Sequence, residues 1–397
     1  MSPLRVRTFR MNSGERMALL VHGSRGLPVI PVVPYALRLR ARSAAPATMR
    51  KALSAVALGL DVFADLGIDL IQRVAQRRFL SSDELIALAE RCRISEPEFG
   101  SRLVDPHYAK TRYLTCADYI EFVAEPVIAR IADAVQHDAA NAALERFKRR
   151  VKRFAPKSDS HSTNDDGSPK ERLGMTPAQR ELFLRVIQPG DPGNPYSLKL
   201  QVRNCALLKL AYELGPRAGE LLGLKCADFD FSVQPANFTI HRRHDDPDDY
   251  RENPATTKTN ARILSLDDDL RDLLDEWITY QRSDRSKFPH ARKHPYVFVN
   301  YKGEELTDRG LRDIISTLEQ RYPELAPLHP HIFRHDWNDR WNEANENSAK
   351  PEEDLRDQKA AMGWSHRSSM PQRYGKRSIR NSANRKIARM QAMGRTK

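Results

Sequence analysis

The feature that most constrains the fold is a polar segment near the middle of the chain, residues 156–172, which reads PKSDSHSTNDDGSPKER. It is rich in Ser, Asp, Pro and Gly and almost free of apolar residues, which is typical of a linker rather than of a packed element. The chain has 397 residues, a length that accommodates two domains. We therefore expect one separately packed part before this segment and another after it.

The part before the linker is predicted to be mostly helical. Ser81 and Glu84 have the spacing of a capping box at a helix start, and a long helical run covers about 127–154. A weaker alternation in residues 4–23, on both sides of NSGE, indicates a hairpin. An apolar stripe with steps of four and three marks a further helix: Met49, Leu53, Val56, Leu60 and Phe63.

The part after the linker mixes helices with short strands. Thr176 and Pro177 suit a helix start, because threonine can cap the helix and proline fits its first position. The segments ANFTIHRR and ARILSL are predicted to be two strands separated by a long polar loop, and VFVN at 297–300 a third. Helices are predicted at 198–214, 307–321, 331–345 and beyond 352.

The excess of basic residues limits the possible partners. The formal net charge is +13 and the sequence pI is about 9.6. A surplus of this size favours a polyanion, either nucleic acid or an anionic membrane surface, although a basic protein that binds neither has the same composition. The densest basic cluster is predicted to contact DNA phosphates rather than to form a solvated helix face: Lys148, Arg149, Arg150, Lys152 and Arg153.

Several classes of protein are disfavoured. The four cysteines, at 92, 116, 205 and 226, are far apart in sequence, so neither a zinc site nor a disulfide framework is predicted. No apolar run approaches the roughly 20 residues of a membrane span, and the N-terminus lacks the apolar core of a secretory signal. We expect a cytoplasmic protein without a membrane span, and the basic charge points to nucleic acid as its partner.

Residues suited to phosphodiester chemistry recur in order through the second part. They lie in GPRAGELLGLKCADFD, in TKT before a strand, in HPHIFRH and in MGWSH…QRYG. This order resembles the tyrosine recombinase (phage integrase) family, whose pattern is an arginine box G-x-R-x-x-E-L-x-x-L, a hairpin lysine, H-x-x-R, G-[HW] and a nucleophilic tyrosine. The resemblance covers about 173–380, and the residues that match are Arg217, Lys258, His331, Arg334, Trp364 and Tyr374.

The chemistry of these residue types agrees with the resemblance. Metal-free cleavage of a phosphodiester needs a nucleophile, cations on the phosphoryl oxygens and an acid for the leaving oxygen. The phenol of Tyr374 has a reference pKa of about 10, so it needs a cationic site. The guanidinium groups of Arg217 and Arg334 each match two phosphate oxygens. The acids of the long polar loop are predicted to be solvated rather than metal-binding: Asp245, Asp246, Asp248 and Asp249.

The resemblance implies a role for each residue. Arg217 and Arg334 would clamp the scissile phosphate, and Lys258 would donate a proton to the 5′ oxygen. His331 would assist proton transfer, and Trp364 would pack against the phosphate or donate its indole N–H. Tyr374 would attack to give a 3′-phosphotyrosine and a free 5′ hydroxyl, so that rejoining needs no ATP. Glu220 is implied as a supporting partner of the arginine box.

One spacing departs from the family pattern. Tyr374 follows Trp364 by ten positions, one more than is common in the family. A one-residue insertion around 367–371 explains the difference. The alternative is that His366 takes part of the role given to Trp364.

The expected fold class is a mostly α catalytic domain with a small antiparallel sheet (α+β), preceded by an all-α, SAM-like core-binding domain that binds DNA. The expected organisation is an N-terminal arm with a possible hairpin at 1–26, the core-binding domain at 27–155, the linker at 156–172, the catalytic domain at 173–380 and a basic tail at 381–397. By resemblance the protein would act on double-stranded DNA as a tetramer on two sites and would need no metal or other cofactor. It would be a cytoplasmic, nucleoid-associated protein of prokaryotic type, with accessory DNA-bending proteins or a partner recombinase as further candidate partners.

Two other functions remain open at this point. A type IB topoisomerase or a telomere resolvase uses a similar set of residues and would cleave DNA by the same chemistry. A DNA-binding regulator of the same fold without catalysis would share the basic charge. The target sequence and the outcome, whether integration, excision, inversion or dimer resolution, are not encoded in any recognisable pattern.

Overall fold

The computed structural model describes residues 4–23, 26–95, 102–157, 174–243, 245–251 and 253–393. The chain forms two compact units, Met1–Lys170 and Glu171–Lys397. Nearly all of the predicted linker at 156–172 lies outside the described residues. Within the described ranges, no helix combines the length and apolar character needed to cross a membrane.

The first unit joins a β-hairpin to a helical core. Its elements in chain order are β1 (Leu4–Arg10), β2 (Arg16–His22), α1 (Val33–Ala41), α2 (Pro46–Asp65), α3 (Leu70–Ala75), α4 (Ser82–Cys92), β3 (Ile94–Ser95), β4 (Arg102–Leu103), α5 (Pro106–Ala129) and α6 (Ala134–Phe154). β1 and β2 pair antiparallel from Leu4–His22 to Arg10–Arg16, so the turn falls on NSGE. The hairpin contributes Met17 and Leu20 to the same core as the helices.

In this unit the sequence correctly predicts the start of α4 and the buried face of α2, but it misses a break between two helices. Ser81 and Glu84 form the predicted capping box of α4, and four of the five stripe residues on α2 are buried. The run predicted at 127–154 was wrong as a single helix: α5 ends at Ala129 and α6 begins after its cap Asp133. Asp133 accepts a hydrogen bond from the Gln136 backbone N–H at 2.7 Å, which starts a new helix where periodicity alone shows none.

In the second unit, the other elements pack around the long apolar helix α8, and three short strands form a small sheet. Its elements are α7 (Pro177–Val186), α8 (Leu198–Leu214), α9 (Ala218–Gly223), β5 (Phe229–Asp230), β6 (Asn237–Ile240), β7 (Arg262–Ser265), α10 (Asp268–Asp275), α11 (Asp308–Arg321), α12 (Pro330–Ala344), α13 (Pro351–Ala361), α14 (Met370–Tyr374) and α15 (Lys376–Met393). Short 3-10 turns lie at Cys226–Asp228, Ala291–Lys293 and Pro323–Leu325 in this unit and at Ile30–Val32 in the first. A π-helical turn at Glu276–Gln281 extends α10.

The predicted fold class is confirmed: the unit is mostly helical with a three-stranded antiparallel sheet of order β5-β6-β7. Its third strand was assigned wrongly from sequence. VFVN at 297–300 forms only isolated bridges around it, such as Val299 with Glu305, and Phe229–Asp230 completes the sheet instead. Val297, Phe298 and Val299 are buried in the core, and a short apolar run does not distinguish a strand from another buried segment.

The predicted helix start at Thr176 and Pro177 is also confirmed, since Thr176 caps α7 with Pro177 in the first turn. Close packing ties that start to α12. A Cβ on Gly174 would lie 2.5 Å from Asp336 Cα, and the backbone N–H of Met175 donates to the Asp336 carboxylate at 3.0 Å. At the other end, α15 runs without interruption across residue 380, where the sequence predicts the start of a separate tail.

Candidate active site

Arg217 lies at the start of a short helix, and its position is fixed by the backbone on both sides. α8 ends at Gly215, whose φ of 60° is left-handed and therefore favours glycine. Arg217 is then the N-cap of α9, and its backbone N–H donates to the Glu220 carboxylate at 3.0 Å. The break in the apolar run thus places an arginine on a rigid helix start.

Glu220 is a buried carboxylate with several donors. It is only 1% exposed. One oxygen accepts from Arg262 Nη2 at 2.8 Å and the other accepts from the Thr259 hydroxyl. Burial raises the pKa of Glu220, but the charge and hydrogen bond of Arg262 and the hydrogen bond of Thr259 outweigh it, so the pKa lies below its ordinary value. The carboxylate is therefore ionised at neutral pH.

Lys258 lies in the loop between β6 and β7, with an exposed side chain. Backbone contacts hold the loop in place on both sides of Lys258. A Cβ on Gly219 of α9 would lie 2.4 Å from the Thr256 carbonyl oxygen, and the backbone N–H of Asn260 donates to the Gly363 carbonyl at 2.9 Å. The lysine thus stands between the arginine helix and the turn that precedes Trp364.

Arg334 is completely buried on α12. Its Nη1 donates to the Gly215 carbonyl and its Nη2 to the Met362 carbonyl, each at 2.9 Å. Burial and the nearby Arg217 lower the pKa of Arg334 to about 10, partly offset by Glu220. The group therefore remains a cation at neutral pH, while its two backbone contacts join the Arg217 segment to the segment before Trp364.

Tyr374 and Trp364 form a nearly buried aromatic pair, 7% and 6% exposed. Their ring centroids are 5.5 Å apart at an interplanar angle of 21°. The Arg334 guanidinium carbon lies 5.3 Å from the Trp364 centroid and 6.0 Å from the Tyr374 centroid. The turn after Trp364 and the short helix α14 therefore accommodate the ten-residue spacing with both rings beside the same arginine.

Three buried donors in this region have no hydrogen-bond partner among the described residues: Arg217 Nη1, Arg334 Nε and Trp364 Nε1. Leaving a buried donor unpaired costs about 1–3 kcal/mol. All three are N–H groups, so only an acceptor can satisfy them, and two belong to cations. The arrangement suits an anion with several oxygens.

Comparison with known proteins finds a family match within the second unit. The model of the phage integrase family matches residues 192–379, a range that holds all six predicted catalytic residues. This chain contains a phage integrase family domain. A tyrosine recombinase XerC of Bacillus pumilus (strain SAFR-032) is 31% identical over 142 residues, which is 35% of this chain and 40% of the relative. A tyrosine recombinase XerD of Halalkalibacterium halodurans is 27% identical over 183 residues, 45% of this chain and 52% of the relative.

The chain thus spans about two fifths to half the length of these curated relatives. Among solved structures, the XerH site-specific recombinase bound to palindromic difH substrate in a post-cleavage complex has 18% identity and a TM-score of 0.42, with 76% of this chain and 84% of that chain covered. The Tn1549 transposon integrase in complex with transposon right end DNA has 16% identity and a TM-score of 0.39, with 80% and 99% covered.

Some predicted residues lie at the edge of the integrase domain's site. His331 and His366 have exposed side chains. The backbone carbonyl of His366 accepts from Lys359 Nζ at 2.7 Å, whereas the ring of Trp364 is the one that stacks on Tyr374. Of the two alternatives for the role at this box, the geometry favours Trp364.

The predicted DNA-binding cluster lies on α6, in the first unit, and its members differ. Lys148 pairs with Glu145 at 3.0 Å, and Arg150 donates to the Leu80 carbonyl at 3.0 Å. The remaining three residues, Arg149, Lys152 and Arg153, are all exposed.

The prediction that the loop acids are solvated was wrong for two of them. Asp249 is 2% exposed and pairs with Arg251 at 2.9 Å, and Asp246 accepts from Lys225 Nζ and from the Tyr296 hydroxyl, each at 3.0 Å. Each acid finds a partner because the long loop folds back onto the rest of its domain rather than extending into solvent.

Sequence reasoning missed three residues of this site. His335 packs its ring 4.6 Å from that of Tyr374. Its signal was present, because His331, Arg334 and His335 are spaced i, i+3 and i+4 and share one helix face. Thr259 and Arg262, which hold Glu220, had no local signal, since a polar residue beside a strand is ordinarily exposed.

Proposed function

We propose that this protein is a site-specific recombinase or integrase that cleaves and rejoins DNA strands with Tyr374 as the nucleophile. The observation that carries the proposal is the set of three buried N–H donors, on Arg217, Arg334 and Trp364, that have no partner among the described residues. Arg334 and Trp364 lie beside that tyrosine. A phosphodiester supplies the anionic oxygens that such donors require. The names of the curated relatives, tyrosine recombinases XerC and XerD, support the same activity.

The proposed reaction is a transesterification. The Tyr374 hydroxyl attacks the phosphorus, the bond to the 5′ oxygen breaks and a 3′-phosphotyrosine forms. The proton that leaves the phenol and the proton that the 5′ oxygen gains balance, so the step consumes neither water nor ATP. Charge on the phosphoryl oxygens is stabilised by Arg217 and Arg334, a contribution for which one lost donor typically costs about 100- to 1000-fold in rate.

Lys258 is proposed as the acid for the 5′ oxygen. Its loop is fixed against α9 and against Gly363, while its side chain is exposed and so can reach a bound strand. His331 is proposed to assist at the phosphate from the first turn of α12. Rejoining is the reverse reaction, with a 5′ hydroxyl from the same or another strand as the nucleophile.

The proposed partner is double-stranded DNA, contacted by both units, and the proposed active assembly is a tetramer on two sites. The net charge of +13 supports phosphate contacts, which make binding fall steeply with salt. Sedimentation of the full chain with site-length duplexes tests the assembly. A complex that never reaches four protomers per pair of sites would contradict it.

The test of the chemistry is covalent trapping. Nicked duplexes from the DNA on both sides of the gene are mixed with the full-length protein in a chelator, and products are separated on a denaturing gel. We expect a protein–DNA adduct that Tyr374→Phe abolishes and that Tyr301→Phe, a change at a tyrosine 60% exposed, leaves intact. The released end should be a free 5′ hydroxyl, detected by enzymatic phosphorylation.

Other outcomes identify the other candidates. An adduct that persists in Tyr374→Phe would mean that another residue is the nucleophile. Relaxation of a supercoiled plasmid that lacks the flanking DNA would favour the topoisomerase. Salt-sensitive binding with no adduct on any flank would favour a DNA-binding regulator without catalysis.

A further inference from the structure

We propose that Arg262 is a positioning residue that occupies the Glu220 carboxylate and thereby leaves the Arg217 guanidinium available to the phosphate. The inference rests on the proposed function of this site. It concerns a residue outside the six that match the family pattern, and its side chain is only 6% exposed, so it acts through its neighbours rather than on DNA.

The first step is the saturation of Glu220. Its two oxygens accept from Arg262 Nη2, from the Thr259 hydroxyl and from the Arg217 backbone N–H. The Arg217 guanidinium forms an ion pair with Glu220, with Nη1 3.7 Å from a carboxylate oxygen, but this nitrogen has no hydrogen-bond partner among the described residues. The hydrogen bonds of the carboxylate thus come from other donors, and the side chain of Arg217 is held near it by the ion pair alone.

The second step is the reach of Arg262 beyond Glu220. Its Nε donates to the Ala361 carbonyl at 2.7 Å, and its Nη1 donates to the Thr259 hydroxyl at 3.0 Å. A Cβ on Gly363 would lie 2.8 Å from Arg262 Nη1, so the turn before Trp364 packs directly on this guanidinium. One side chain therefore joins the arginine box, the lysine loop and the tryptophan turn.

The third step is the consequence of losing its charge. A buried carboxylate that loses its partner must find another cation or take up a proton. The cations that remain nearby are Arg217, at 3.7 Å, and Arg334, whose charge already acts on Glu220. Arg217 has an unused N–H in the same region, so Glu220 would bind it and withdraw it from the phosphate.

The experiment compares Arg262→Gln, Glu220→Gln, the double variant and Arg262→Lys. Single-turnover adduct formation on the nicked duplex is measured for each full-length protein. We expect Arg262→Gln to slow adduct formation roughly 100-fold, the loss typical of one oxyanion donor. The double variant should recover at least about 10-fold of that loss, because the neutral amide that replaces the Glu220 carboxylate no longer competes for Arg217. Arg262→Lys, which keeps a cation, should lose less than Arg262→Gln.

A matched control uses another ion pair to a buried carboxylate of the same unit, Asp228 with the partly exposed Arg243. Arg243→Gln should lower the melting temperature without the rescue pattern. A second readout does not depend on cleavage: the rise in melting temperature caused by inorganic phosphate should be smaller in Arg262→Gln than in wild type and restored in the double variant. If the wild type forms no adduct, the proposed function fails, and the phosphate readout still tests the role of Arg262.

The result that would overturn the inference is a double variant that is no better than Arg262→Gln in either readout. That outcome would mean that Arg262 only holds the fold together. An Arg262→Gln protein with wild-type adduct formation and phosphate response would overturn it as well.

Discussion

Gly219 should be the most informative single position for the loop that carries Lys258. A Cβ at Gly219 would meet the Thr256 carbonyl oxygen at 2.4 Å, whereas ordinary contact begins at 3.4 Å. The difference, 3.4 − 2.4 = 1.0 Å, is the distance by which Gly219→Ala would push the loop away from α9. Because the contact is with backbone, no side-chain rotation can relieve it.

The same substitution should cost little stability. Alanine is favoured over glycine inside a helix by about 0.5–1 kcal/mol, and overpacking typically costs about 1–3 kcal/mol. The net loss is therefore roughly 0–2.5 kcal/mol. Misplacing a catalytic group by about 1 Å can cost about 100-fold in rate, so adduct formation should fall far more than the folded fraction.

The assay is the rate of covalent adduct formation on a nicked duplex, with Gly223→Ala as the matched control. Gly223 lies in the same helix, and a Cβ there would be 3.7 Å from Ala255, an ordinary contact. A duplex with sulfur in place of the scissile 5′ oxygen separates the causes, because a thiol with a pKa of about 8.5 leaves without a proton. Gly219→Ala should cleave that duplex at nearly the wild-type rate.

Two results would refute this reasoning. Wild-type adduct formation by Gly219→Ala would mean that the loop position does not matter to the chemistry. A sulfur duplex that is cleaved as slowly as the normal one would mean that the displacement affects the phosphate clamp and not the acid.

Three further predictions concern other parts of the molecule. Trp364→Phe keeps the stack on Tyr374 but removes the unpartnered Nε1 donor, so adduct formation should slow about 10-fold or more while binding of intact DNA, measured by gel shift, changes little. Glu220 has a folded-state pKa below its ordinary 4.5, so its ionised form adds stability above that pH. Glu220→Gln should therefore unfold at a lower urea concentration than the wild type at pH 7. The difference between the two proteins should shrink as the pH falls below 4.5. Replacing the exposed Arg149 by Ala should reduce the log–log salt dependence of DNA binding by about one, whereas Arg150→Ala, which loses its bond to a backbone carbonyl, should lower the melting temperature.

The helices could be predicted from sequence because their signals are local. Residues 198–214 were predicted as a helix and form one with those bounds, and Ser81 and Thr176 start helices through contacts only three residues away. The error at VFVN has the opposite cause. Its apolar residues report burial in the core, and burial does not distinguish a strand from a buried loop.

In the candidate site, too, the reactive residues could be predicted from sequence and the residues that position them could not. Residue types and their order indicate phosphodiester chemistry, because arginine, lysine, histidine and tyrosine are limited in what they can do together. The side chains that hold them are joined across long sequence distances: Arg262 to Ala361 spans 99 residues, and Arg334 to Gly215 spans 119. No short pattern carries such pairings, so Arg262 becomes visible only in the folded structure.

The buried donors connect stability to the proposed chemistry. Arg334 uses two N–H groups on the carbonyls of Gly215 and Met362, yet its Nε and the nearest donors of Arg217 and Trp364 have no partner in the described chain. Each unpaired buried donor costs about 1–3 kcal/mol of stability, and here three of them belong to the residues of the proposed site. Their orientation is best explained by an anion that binds between them and recovers that energy. The same argument predicts that phosphate or sulfate should raise the melting temperature of the wild-type protein, and that Arg217→Ala should largely remove the effect.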